Sequence, residues 1–196
     1  MRSFKIAAAA LMLGGSLAGC SSMGDGMGAE TSASTRSMVT VGGAPMYANR
    51  NIVENAVNSP DHKTLVAAVK AAGLVETLSG TGPFTVFAPT DAAFAQVPQS
   101  TVQMLLRPEN KAMLQSVLTY HVVPGRLTAA DLGQQIRDGG GTASLTTVQG
   151  GMLTARMSGS DIVIVDSKGG VATVTQADVM QSNGVIHVTN RVSMSS

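Results

Sequence analysis

The sequence predicts an α+β fold for most of the chain. Three observations carry that expectation. From Asn51 to Asp138 apolar residues recur mainly at helical spacing, and the segments are punctuated by Pro60, Gly73, Pro98 and Pro108. After Gly139-Gly140-Gly141 the pattern changes to short β-rich runs separated by glycine pairs and an Asn-Gly. Within the first of these regions, FTVFAPTDAAF (84–94) holds three of the four phenylalanines, and there an alternating run breaks at Pro89 and restarts as a helix. Helices first and strands later, with no internal repeat, argue for one α+β domain.

The elements follow in order. Asn51 with Glu54 three residues on forms a capping-box start. Ile52, Val53, Ala56 and Val57 then make one apolar stripe, which Pro60 ends. Ser59 or Asp61 is placed to cap the next helix, whose apolar face is Leu65, Ala68, Val69 and Ala72 and whose natural end is Gly73. Phe84, Val86 and Ala88 alternate with Thr85 and Phe87, as in a strand buried on at least one face. Pro89 donates no backbone hydrogen bond and stops it. Thr90 or Asp91 caps the helix that follows, so the phenylalanines are expected to fill the joint between a sheet and a helical layer.

Residues 101–106 predict another short helix, and Pro108 suits the first turn of the next. Met113, Leu114, Val117, Leu118 and His121 share one face of that helix. Pro124-Gly125 predicts a turn, and Thr128 with Asp131 reads as a second capping box. Residues 145–148, 152–157, 161–166, 171–175 and 185–192 are the expected strands, and their spacing argues for antiparallel hairpins.

The amino terminus has a different character. Arg2 and Lys5 precede an apolar, small-residue run, the pattern of a secretory signal over residues 1–19. The run is shorter than the roughly 20 residues a membrane span needs. Leu17-Ala18-Gly19-Cys20 contains the only cysteine of the chain and resembles the lipobox of bacterial lipoproteins. That resemblance implies cleavage before Cys20, lipidation of Cys20 and anchoring to a membrane. Ser21 in place of an Asp favours the outer membrane. Residues 20–48 are then a lipidated cysteine and a Ser/Gly/Met-rich tether reaching about 30 Å, with the domain over 49–195.

Loss of residues 1–19 lowers Lys plus Arg from 13 to 11 against 12 acids, so no basic surface invites nucleic acid. His62, His121 and His187 are widely separated, and the chain holds no zinc spacing, GxSxG elbow or phosphate-binding loop with its lysine. Neither an enzyme nor a cofactor or metal site is expected. Methionines 23, 27, 38 and 46 are irregularly spaced and read as fillers rather than as soft ligands for copper.

Three segments together resemble the signatures of the fasciclin domain: FTVFAPTDAAF (84–94), LTYHVVPGRL (118–127) and NGVIHVTNRV (183–192). The resemblance spans about 50–194. It implies a wedge of two short, mainly antiparallel β-sheets with helices packed along it. It also implies a role in adhesion or in surface and matrix contacts, with an unidentified surface protein or glycan as partner. The alternative from another class is a periplasmic binding module for a small hydrophobic or glycan ligand. By resemblance, Tyr120 and His121, and the acidic-aliphatic Asp178, Val179 and Met180, are the candidate partner-binding residues. Each also has a structural reading: His121 as a buried tie between helix end and strand, Tyr120 as a core ring with a bonded hydroxyl, His187 as a cross-strand contact, and Asp178 as the cap of a helical turn. The last signature departs from the family where Thr189-Asn190 replaces a hydrophobic-acid pair; Asn190 can still accept a hydrogen bond but carries no charge, which puts in question any role that needs the acid.

Overall fold

The computed structural model describes residues 39–194. Cys20, the leader and the first part of the expected tether lie outside them. Nine strands and seven α-helices are assigned within that range. Strand β1 (Val39–Val41) and strand β2 (Ala44–Met46) form a hairpin. Helices α1 (Ile52–Asn58), α2 (Lys63–Ala72) and α3 (Val75–Ser79) lead to β3 (Phe84–Pro89). Next come α4 (Asp91–Ala95), α5 (Gln99–Leu105), α6 (Lys111–Tyr120), β4 (Val122–Pro124) and α7 (Ala129–Asp138). The chain closes with β5 (Thr142–Thr146), β6 (Met152–Ser158), β7 (Asp161–Val165), β8 (Val171–Gln181) and β9 (Gly184–Thr189).

Strands β3 to β9 lie side by side in the order β4-β3-β9-β8-β7-β6-β5. Every pairing is antiparallel except β3 with β9, which is parallel and runs from Phe84↔Gly184 to Pro89↔Thr189. The long β8 joins the two halves. Val171–Thr173 pairs with β7, and Val174–Gln181 pairs with β9 through two irregularities, at Val174/Gln176 and Gln176/Val179. Bulges of this kind bend a strand and raise its twist, which lets one strand serve both halves.

Strand β3 is buried on both faces, and alternation sends its side chains to different cores. Val86 and Ala88 join Leu65, Leu118 and Ile186 in the core under α1, α2 and α6. Phe87 joins Tyr120, Leu132 and Leu153 in the core under α7 and β5–β7. Phe84 packs on the first of these cores, and Phe94 packs both there and on a small cluster of Ala93, Val97 and Val192. The three phenylalanines therefore divide among clusters rather than filling one joint.

Four expectations change. The tether does not run to residue 48. Val41 and Met46 are buried in the first core, Gln176 donates to the Thr40 carbonyl at 2.9 Å, and so the folded domain takes in the hairpin before Asn51. Met46 is accordingly core, while methionines 23, 27 and 38 fall outside the described residues. Helix α2 is capped neither by Ser59 nor by Asp61. The Asp91 carboxylate accepts from Lys63 N at 3.2 Å and Thr64 N at 2.8 Å, bringing a negative charge from the start of α4 to the α2 amino terminus. On α1, Val57 is exposed and Asn55 takes the inward place. On α6, Met113 faces outward.

The two expected capping boxes are present. Asn51 accepts from Glu54 N while Glu54 accepts from Asn51 N, and Thr128 and Asp131 repeat the exchange.

Candidate functional site

Tyr120 ends α6 with its ring 1 % exposed. Its hydroxyl donates to the Met152 carbonyl at 2.8 Å and accepts from Ser167 N at 3.1 Å. Gly151 is required beside it, because a Cβ there would stand 2.7 Å from the ring. His121 follows, 4 % exposed, its ring edge-on to Tyr120. Nδ1 lies 2.8 Å from the Val117 carbonyl, and Nε2 accepts from Ser193 N at 2.9 Å. A carbonyl only accepts and a backbone N–H only donates, so these partners select the neutral Nδ1–H tautomer. Burial holds the His121 pKa below 6.5, against smaller opposing effects of the Val117 bond and the Asp166 carboxylate.

Asp178 does not sit in a helical turn. It occupies the second irregularity of β8 at φ +57°, and it is the one non-glycine residue at positive φ among the described residues. Asp, like Asn, enters this region more readily than most residues. Its half-buried carboxylate accepts from Ala129 N at 2.7 Å, satisfying a free donor at the start of α7. It is thus a cap, but of a helix 49 residues away in sequence. Val179 is buried in the first core and Met180 is half-buried.

His187, in the third signature, touches Phe87 of the first and Leu127 of the second. It is fully buried, stacked on Phe87 with centroids 5.6 Å apart, and bonded through Nε2 to the Leu127 carbonyl at 2.8 Å. Its Nδ1 faces Asp178 N at 3.4 Å. Burial lowers its pKa as it does that of His121, with the Leu127 bond and Asp178 opposing. The third histidine, His62, is also buried. Its Nδ1 bonds to the Ser59 hydroxyl at 2.8 Å, while Nε2 faces the Ala88 carbonyl without good hydrogen-bond geometry.

Several residues with equal structural weight carried no sequence signal beyond their type. Asn183, seen in the sequence as a turn residue, accepts from Ile52 N at 3.0 Å and donates to the Leu78 and Gly80 carbonyls at 2.8 and 2.9 Å. Asn55 bonds both backbone groups of Tyr47 and the Gln181 side chain. Asp166 accepts from Lys168 N, Gly170 N and Met194 N. At the altered signature, Asn190 accepts from Thr173 N at 2.9 Å through its side chain, a bond that needs no charge.

One surface feature does not serve the protein's own backbone. A groove of about 530 Å³ lies among α2, α4, α5, α6 and the carboxyl-terminal segment. Its lining is mainly apolar, including Leu65, Phe94, Val102, Leu105, Val117 and Met194. Val192 also lines it, and His121 reaches it from within. Met113 and Leu106 line it while remaining exposed to solvent.

The class of protein is therefore an α+β module in which buried polar side chains hold its own segments together beside an apolar groove. The chain belongs to the fasciclin domain family, whose model matches residues 60–194. It is 50% identical over 141 residues to Protein sll1483 of Synechocystis, covering 72% of this chain and 71% of that protein. It is 33% identical over 144 residues to Immunogenic protein MPB70 of Mycobacterium bovis, covering 71% of this chain and 66% of that one. A solved FAS1 domain pair from the insect cell adhesion molecule fasciclin I matches with a TM-score of 0.66 at 21% identity, over 73% of this chain and 50% of that one.

Proposed function

We propose that this protein is a lipid-anchored component of the cell envelope that presents its fasciclin domain for adhesion or for contact with a surface protein or glycan. The observation that carries the reading is the pairing of one fasciclin domain with Leu17-Ala18-Gly19-Cys20, whose cysteine is the only one in the chain. The fold likeness to a cell adhesion molecule agrees with it. In this reading Ser21 after the cysteine favours the outer membrane, with the domain facing the periplasm or the surface. The proposed means of attachment is the lipid on Cys20; among the described residues no helix is long and apolar enough to cross a membrane. Several acyl chains on one residue give firm anchoring, since each buried CH₂ contributes about 0.8 kcal/mol.

Of the candidate contact residues, Asp178 and Met180 are half-buried and reach the surface, whereas Tyr120, His121 and Val179 act from inside by shaping it. The test has two arms. Cys20→Ser should move the protein from the membrane to the soluble fraction, and unchanged membrane partition refutes the anchor. Crosslinking in intact cells should capture a surface partner. If Met180→Glu folds normally and leaves both capture and adhesion intact, the β8 segment is not the contact.

A second reading is favoured by the groove. A volume near 530 Å³ falls within the roughly 300–1,000 Å³ of small-molecule sites. Its apolar lining suits a hydrophobic ligand better than a glycan, which needs many polar partners.

A further inference from the structure

We propose that the groove among α2, α4, α5 and α6 takes the hydrocarbon tail of a single-chain carboxylate, with the Lys168 ammonium meeting the headgroup at the rim. This rests on the small-ligand reading of the groove. The lining is mainly apolar, with a few polar side chains among it. Leu65, Ala68, Val97, Leu114 and Val117 are side chains an alkyl chain would touch, and the uncharged Thr64, Thr101 and Ser116 supply only hydroxyls. Lys168 is exposed and lines the same groove, and among the described residues no acidic one lines it. Among the described residues Lys168 takes part in no ion pair, and the single ion pair there joins Arg107 and Glu109. The nearby Asp166 carboxylate is already engaged by three backbone N–H groups, those of Lys168, Gly170 and Met194. A cation at the mouth of an apolar trough complements an anionic headgroup followed by an alkyl chain.

The groove is also a built feature. Val192 and Met194 form one wall, and that wall is held from behind by two buried polar side chains. His121 accepts the Ser193 N–H at 2.9 Å, and Asp166 accepts the Met194 N–H at 2.9 Å. Two side chains thus hold a three-residue segment that otherwise lies past the last strand.

The test uses the full chain carrying Cys20→Ser, titrated with cis-parinarate, a fluorescent long-chain carboxylate, and competed with palmitate and with hexadecanol. The expected result is saturable one-to-one binding, displacement by palmitate, and weaker displacement by hexadecanol. Lys168→Gln should weaken parinarate roughly 2–5-fold at low ionic strength, the equivalent of an exposed ion pair of about 0.4–1 kcal/mol. Val102→Trp, which fills the trough, should abolish binding with little change in Tm; if that variant misfolds, Val117→Phe serves the same purpose. Equal binding of palmitate and hexadecanol, with Lys168→Gln unchanged, overturns the headgroup assignment and leaves the groove reading standing. Absence of saturable binding, or binding that survives the filling variants, overturns both.

Discussion

The imidazole of His121 joins the end of α6 to Ser193, 72 residues later, accepting the Ser193 N–H at 2.9 Å while its Nδ1–H donates to the Val117 carbonyl. The ring is buried and both nitrogens are used. His121→Ala leaves the Ser193 donor unpaired and opens a void. The expected loss is about 2–4 kcal/mol, from the unsatisfied group and the lost packing. Urea unfolding of the variant checks it. A loss under about 1 kcal/mol would mean that the tail is not held by this ring.

All three histidines have pKa values lowered below 6.5, with burial the first cause in each case. Nearby carboxylates oppose the shift: Asp61 and Asp91 at His62, Asp166 at His121, Asp178 at His187. A lowered folded-state value means that the unfolded chain binds more protons once the pH falls below about 6.5. Stability should therefore be constant above that pH and fall as acid is added, until each folded-state pKa is passed. Each histidine contributes at most about 1.4 kcal/mol per pH unit. Urea midpoints measured from pH 7.5 down to pH 5 should decline, before carboxylate protonation begins. A flat or rising midpoint contradicts the assignment of neutral buried rings.

Asp178 combines a cap with a left-handed backbone. Asp178→Asn keeps an acceptor for Ala129 N and a residue type suited to positive φ, and should cost less than about 1 kcal/mol, chiefly the charge at the helix amino terminus. Asp178→Ala loses the bond and keeps the backbone strain, for a cost of about 2 kcal/mol. The order of the two in thermal unfolding is the measurement. Equal melting temperatures would show that the cap contributes little, leaving this residue free to serve a partner alone.

The β1–β2 hairpin contributes Val41 and Met46 to the first core. Met46→Ala should lower stability by about 2–5 kcal/mol. Removal of residues 39–46 should lower Tm by well over ten degrees or prevent folding. Removal of residues 25–35 is the contrast and should leave Tm unchanged. If deleting the hairpin has no effect, the hairpin does not belong to the folded unit.

From Asn51 onward the sequence alone showed most of the elements in their order, both capping boxes, the β-rich second half and the family. These signals are local. A capping box closes over three residues, a strand shows itself by alternation, and a turn by Asn-Gly or Pro-Gly. The burial of Phe87 and the tie at His121 were also legible, because an apolar alternation or a helix face points inward wherever the partner comes from. What depends on distant partners emerged only on folding. Asp91 displaces Ser59 and Asp61 as the cap of α2 because folding carries it across 27–28 residues to the helix start. Asp178 caps α7 from a strand, since the β8 irregularity turns its carboxylate towards Ala129. Residues 39–47 have a composition suited to a tether but become structure because Asn55, itself held by Gln181, and Gln176 supply hydrogen bonds that no local pattern encodes. The groove belongs to the same category: it arises where four helices and the carboxyl-terminal segment leave space between them, and only their assembly sets its volume.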